Sequence, residues 1–172
     1  QPNTYSQWAE FNAALPAQDI LVLSPGTKHG TREVYDVRVI QAGCKETGAY
    51  DLFLAVAEGA DDRAKQNAAN AKCVELRTDG RNIDIDGDYT ETLQRLDNDK
   101  NAIGVFGLSF YQNNTDKLRV ATMNGIVPST ESIATGEYPV SRPLFFYVKM
   151  AHLDVIPGLQ DYVEFFVSDD MA

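Results

Sequence analysis

Only 2 cysteines and 2 histidines occur among 172 residues, and Cys44 and Cys73 do not form a Cys-x-x-Cys pair. That argues against a zinc site or a dithiol redox centre, both of which need closely spaced ligands. No apolar run reaches the roughly 18 residues of a membrane span. Gly-x-Ser-x-Gly, His-x-x-x-His and Gly-Lys-Ser/Thr are all missing, so nothing completes a hydrolase, metallophosphatase or P-loop centre. Basic residues are scarce, 15 against 25 acidic ones for a net charge of -10, which argues against a nucleic-acid partner that would demand a clustered basic face. Repeats, low-complexity tracts and an internal linker are absent as well. Gln1-Pro2-Asn3 opens the chain on polar residues without a signal peptide, as a processed chain does. What remains, 44% apolar and 23% charged residues, is the composition of an ordinary globular unit, and the length suits one domain.

Apolar periodicity marks out the elements. Tyr5, Trp8, Phe11 and Leu15 predict a short amphipathic helix before Pro16, and Ile20-Leu21-Val22-Leu23 reads as a strand buried on both faces. Val34, Val37, Ile40 and Cys44 recur at helical spacing, so a long helix is expected from about Thr31. Two more helices are expected at Tyr50 to Val56 and Asp62 to Val74, separated at Gly59, with Asp61 or Asp62 capping the second. Ala102 to Phe106 and Leu144 to Val148 read as strands, the latter the clearest in the chain. Thr90 to Leu96 reads as a helix, and Pro157, Leu159, Tyr162, Val163 and Phe166 define a last one. Strands separated by helices predict an α/β layer fold.

The stretch from Ser24 to Tyr35 joins the first strand to the first long helix and carries the chemistry. No acid lies between Asp19 and Glu33, while Lys28 and Arg32 supply fixed positive charge and His29 a titratable one. The opening amides of a helix have no internal partner and sit at the positive end of its dipole, so they attract a tetrahedral oxyanion. Gly30 allows close approach to the backbone, Thr31 offers a hydroxyl and an amide, and Arg32 a charge-assisted fork. By itself the pattern also fits a solvated helix start in which threonine caps and arginine faces water. Lys28 reads as a solvated loop charge.

Two further blocks accompany His29-Gly30-Thr31-Arg32-Glu33-Val34-Tyr35. They are Asn101-Ala102-Ile103-Gly104-Val105-Phe106-Gly107-Leu108-Ser109-Phe110 and Gly136-Glu137-Tyr138-Pro139-Val140-Ser141-Arg142-Pro143-Leu144-Phe145. In this order they resemble one lobe of the phosphate-binding proteins of bacterial ABC phosphate importers, the periplasmic Pst-type receptors. That family shows Ser-Gly-Thr at the strand-to-helix turn, then Asn-Ala-Ile-Gly, then Tyr-Pro-(Val/Leu)-(Ser/Thr)-Arg-Pro-Leu. His29 stands where the family commonly has Ser. Pro25 and Thr27 stand where some members carry Arg and Asp, which leaves Arg32 as the replacement cation.

The resemblance implies a type II periplasmic binding protein fold, an α/β lobe with a mixed sheet flanked by helices. Residues 1–172 would be a single lobe, the second of two, with the first lobe absent from this chain. It implies capture of inorganic phosphate between the lobes, with His29, Gly30, Thr31 and Arg32 as the ligands from this side. No catalysis, cofactor or metal is expected. The implied partners are phosphate, the missing first lobe and the ABC transporter permease subunits in the membrane, and the implied location is the periplasm. An oxidising periplasm in turn implies a disulfide between Cys44 and Cys73, two buried free thiols being the alternative. A receptor lobe for another oxyanion such as sulfate or molybdate, and a fragment of a phosphate-handling enzyme, are the competing readings.

Three other features call for plainer explanations. Asp84, Asp86 and Asp88 around Gly87 lack the spacing of an EF-hand calcium loop and read as a turn into the following helix. Arg142 reads as a structural tie from the strand start to a carboxylate. His152 reads as a surface or hinge residue.

Overall fold

The computed structural model describes residues 4–143, 145–168 and 170. The polar opening at Gln1-Pro2-Asn3 and the expected strand residue Leu144 lie outside these. The chain divides into two compact units, Gln1–Ser141 and Arg142–Ala172.

The first unit begins with α1, Trp8–Phe11. It stops short of Leu15 because the Asn12 side chain accepts the Ala14 amide at 2.9 Å, an Asx turn that competes with helix continuation. Strand β1, Val22–Pro25, is shifted toward the C-terminus relative to the expected apolar run. Leu23 and Ser24 are both fully buried, and the Ser24 hydroxyl is satisfied by donating to Asn82 Oδ1 at 2.5 Å. The long helix is present as a continuous helical run of α2, Gly30–Tyr35, a π-helical segment, Asp36–Gln41, and α3, Ala42–Glu46. Helix α4, Ala49–Val56, follows Gly48, and α5, Asp62–Cys73, is capped by the Asp61 carboxylate accepting the Ala64 amide at 2.7 Å. The expected disulfide between Cys44 and Cys73 is formed, with Cα atoms 5.7 Å apart, and it ties α3 to the end of α5.

Strand β2, Asn82–Ile85, is absent from the sequence reading. Asp88 then caps α6, Tyr89–Asn98, by accepting the Thr90 and Glu91 amides, so the aspartates do lead into a helix as a turn. The expected strand at 102–106 is reduced to β3, Ile103–Gly104. Two short helices complete the unit, α7, Leu108–Gln112, and α8, Thr130–Ala134, the latter opened by a Ser129/Ser132 capping box.

Strand order is β2-β1-β3. Both pairings are parallel, Val22 to Pro25 against Asn82 to Ile85 and Val22 to Leu23 against Ile103 to Gly104. A parallel pair requires a crossover, and helices supply both of them, which is the α/β arrangement expected. The buried core gathers Ile20, Leu23, Ala69, Cys73, Ile85 and Leu93 around the central strand.

In the second unit Phe145 to Val148 forms no strand, contrary to expectation. Aromatic and β-branched residues favour a pleated surface, but a strand also needs a neighbour to pair with, and no strand lies among the described residues of this unit. Its regular structure includes a single turn of 3-10 helix, Met150–His152, and α9, Leu159–Phe166. Phe146 packs edge-on against Phe166 at 4.7 Å between ring centres.

Candidate functional site

Each parallel strand runs into a helix start at its carboxyl end: β1 into α2, β2 into α6 and β3 into α7. Three turns therefore share one edge of the sheet. In open α/β sheets ligands occupy the crevice outside the carboxyl ends, where connections leave adjacent strands in opposite directions. With β1 in the centre, the turns that follow β2 and β3 flank the turn that opens α2.

The first two turns touch at Gly26, whose amide donates to the Ile85 carbonyl at 2.8 Å. A Cβ there would stand 2.1 Å from Asp86 Oδ1 and 2.8 Å from Asp86 Cα, so the approach requires glycine. His29 occupies the N-cap position of α2 without capping it through its side chain. Its Nε2 lies 2.6 Å from the Gly87 carbonyl oxygen. A carbonyl can only accept, so Nε2 carries the hydrogen and donates it. The His29 ring stacks on Tyr89, with centres 5.4 Å apart and planes 22° off parallel, and the Thr31 and Tyr89 hydroxyls are hydrogen-bonded to each other. Tyr89 also packs against Phe106 and Phe110 from the third turn, at 5.6 and 5.3 Å.

Arg32 is held by its own chain. Nε donates to Asp36 at 2.8 Å, and Nη1 donates to Asp84 at 3.0 Å and to the Pro25 carbonyl at 3.1 Å. Burial by itself lowers the pKa of the guanidinium, but the hydrogen bonds to Asp36 and Asp84 outweigh it and hold the charge firmly on. Nη2 has no partner among the described residues. His29, Gly30 and Arg32 line an open cavity of about 610 Å³ with Lys28 and Asn70, whereas the Thr31 side chain turns to Tyr89. The sequence reading thus located four residues on one turn and missed Gly87, Tyr89, Phe106 and Phe110, which the other two turns bring to them. The signal available was a Gly-Asp-Tyr run at a strand-to-helix turn, which becomes legible only once β2 is known. Arg142 is exposed and the expected tie to a carboxylate is not seen among the described residues, and His152 is an exposed residue of the 3-10 turn.

Tyr35 connects this site to the core. Burial pushes its pKa above the ordinary value, with smaller downward pulls from the Ser24 hydroxyl and Arg32. A tyrosine raised in the folded state adds stability that is complete below about pH 10 and is lost as pH rises through the folded value. Denaturant melts between pH 8 and 11.5 are therefore expected to show an alkaline fall in stability, and Tyr35→Phe to make that fall shallower. Equal slopes for the two proteins would remove Tyr35 as its source.

A family model described as a PBP superfamily domain matches residues 3–170. The phosphate-binding protein PstS of Staphylococcus haemolyticus (strain JCSC1435) is 26% identical over 167 residues, covering 94% of this chain and 42% of that protein. This chain therefore spans about two-fifths of that curated relative. Among solved structures, a possible phosphate binding protein from Planctomyces limnophilus DSM 3776 superposes with a TM-score of 0.58 at 22% identity, over 99% of this chain and 50% of the other. PstS from Borrelia burgdorferi does so with a TM-score of 0.59 at 14% identity, over 97% and 53%. At such identities the two structures speak for the fold. With the family model matching nearly end to end, and with three parallel strands delivering helix starts to one sheet edge, the chain belongs to the PBP superfamily.

Proposed function

We propose that this chain is one lobe of a two-lobed periplasmic receptor that captures inorganic phosphate for an ABC importer and presents it to permease subunits in the membrane. The observation that carries the reading is the gathering of three strand-to-helix turns at one edge of the sheet. There the opening amides of α2, the Thr31 hydroxyl and Arg32 Nη2 offer donors within a single turn. His29 and Gly30 complete the set, the first as a positioned ring and the second as an unobstructed backbone. The relatives named for phosphate binding favour this ligand over sulfate or molybdate. Residues 1–172 would form the second lobe, the first being supplied by sequence outside this chain, and capture would proceed by closure of the two lobes. No helix among the described residues is long and apolar enough to cross a membrane.

Binding fits this site better than catalysis. Its two hydroxyls bond one another, and the His29 Nε2 hydrogen is given to a carbonyl, so neither hydroxyl is paired with that nitrogen as a nucleophile with its base. The test is titration calorimetry of the two-lobed protein with phosphate, sulfate and molybdate. Phosphate is expected to bind about ten- to a hundredfold tighter than the other two, the difference that one unpaired polar group makes. Arg32→Ala is expected to weaken phosphate about 10- to 150-fold by removing a charge-assisted donor. Because Arg32 also ties Asp36 and Asp84, a thermal melt run alongside separates loss of the ligand contact from loss of the fold. An unchanged dissociation constant would move the cation role to Lys28 or to the other lobe.

A further inference from the structure

A threonine hydroxyl can turn back on the carbonyls of its own helix, as happens at the C-cap positions of α3 and α8. Thr47 donates to the Gly43 carbonyl at 2.8 Å and Thr135 to the Glu131 carbonyl at 2.9 Å, each four residues earlier. Thr31 makes no such bond among the described residues; its oxygen meets the Tyr89 hydroxyl instead. A phenol is a stronger hydrogen donor than an aliphatic alcohol, because the ring delocalises the charge left on its oxygen, and the alcohol is the better acceptor. Either hydroxyl can donate in this pair, and the difference in acidity favours Tyr89 as donor and Thr31 as acceptor. In that arrangement the Thr31 hydrogen has no acceptor among the described residues.

We propose that Tyr89 is a positioning residue of the anion site, which by donating to Thr31 Oγ1 turns the Thr31 hydrogen outward as a fixed donor to a bound tetrahedral oxyanion. The inference rests on the phosphate reading above and deepens it. Packing, not the ligand, sets where the phenol stands: His29 stacks on one side of the ring, Phe106 meets it edge-on and Phe110 lies tilted against it. His29 is itself held by its donation to the Gly87 carbonyl, so the second turn meets both His29 and Thr31 of the first. Two consequences follow for binding. A hydroxyl whose rotor is already set loses less freedom when the ligand arrives, and a hydroxyl that accepts a hydrogen bond gives a stronger one in turn.

The experiment is a double-mutant cycle on the two-lobed protein, titrated with inorganic phosphate by calorimetry, with a thermal melt of every variant. Tyr89→Phe keeps the ring and its packing and removes only the donor. It is expected to weaken phosphate about five- to tenfold, to have no further effect once Thr31→Val is present, and to regain its effect in Thr31→Ser, which restores the hydroxyl. A general loosening of the fold would not depend in this way on the residue at position 31. If the wild-type protein binds phosphate and Tyr89→Phe binds it equally well, the proposal is overturned while the phosphate reading stands. A loss of the same size in the Thr31→Val background also overturns it, since the phenol would then act without Thr31. A wild-type protein that does not bind phosphate overturns both.

Discussion

Titrated with inorganic phosphate, the 172-residue chain is expected to bind at least about a thousandfold more weakly than the two-lobed protein proposed above. In the reading proposed above the ligand would meet the α2 turn on this side, where Gly30 is exposed and Thr31 and Arg32 are only partly covered. Hydrogen bonds formed in contact with water largely replace hydration, and charges act there at high dielectric. The positive charge of Arg32 is already met by Asp36 and Asp84, and the net charge of -10 repels an anion at longer range. Enclosure by a second lobe changes each of these conditions at once. If that lobe supplies about three donors, each contributing roughly 1.5–3 kcal/mol, their loss weakens binding by three or more orders of magnitude. Calorimetry on this chain is the check. A submicromolar constant with one site per chain would mean that the site is complete here and that the half-site reading is wrong.

The double substitution Cys44→Ser with Cys73→Ser is expected to lower stability by about 3.5 kcal/mol, the loop-closure entropy for cysteines 29 residues apart. For a domain of this size that corresponds to a fall in melting temperature of about 7–14 °C. The bond matters because little else holds the segment it encloses. Helix α4 has no buried residue, and Leu52 and Val56 remain 67% and 78% exposed, so the apolar burial available to fasten α3, α4 and α5 together is small. Cys73 itself is buried against the core, so releasing it also loosens the end of α5. Thermal and urea melts of the wild type, the double variant and the reduced wild type test this. Reduction should reproduce the double variant, and a loss below about 1 kcal/mol would show that packing, not the covalent tie, holds the three helices.

Elements that depend on near neighbours were legible in the sequence. Helices α4, α5, α6 and α9 fall close to where periodicity and capping placed them, and Asp61 caps α5 as one of the two expected candidates. A helix satisfies its backbone within four residues, so its signals are local. Strands do not. Asn82-Ile83-Asp84-Ile85 carries too weak a pattern to be read as a strand, yet it becomes one by pairing with β1. Phe145 to Val148 carries a strong pattern and has no strand beside it among the described residues of its unit.

The same division runs through the site. The turn from Lys28 to Arg32, its positive charge and its place before a helix belong to the sequence alone. What those side chains meet was decided only in three dimensions: Asp84 reaches Arg32 from 52 positions away, and Gly87 and Tyr89 reach His29 and Thr31 from 58. A local pattern specifies the dihedral angles and caps that bring donors to a turn, whereas the partners of those donors depend on which turns the sheet register sets side by side, and register is a property of strands far apart in the chain.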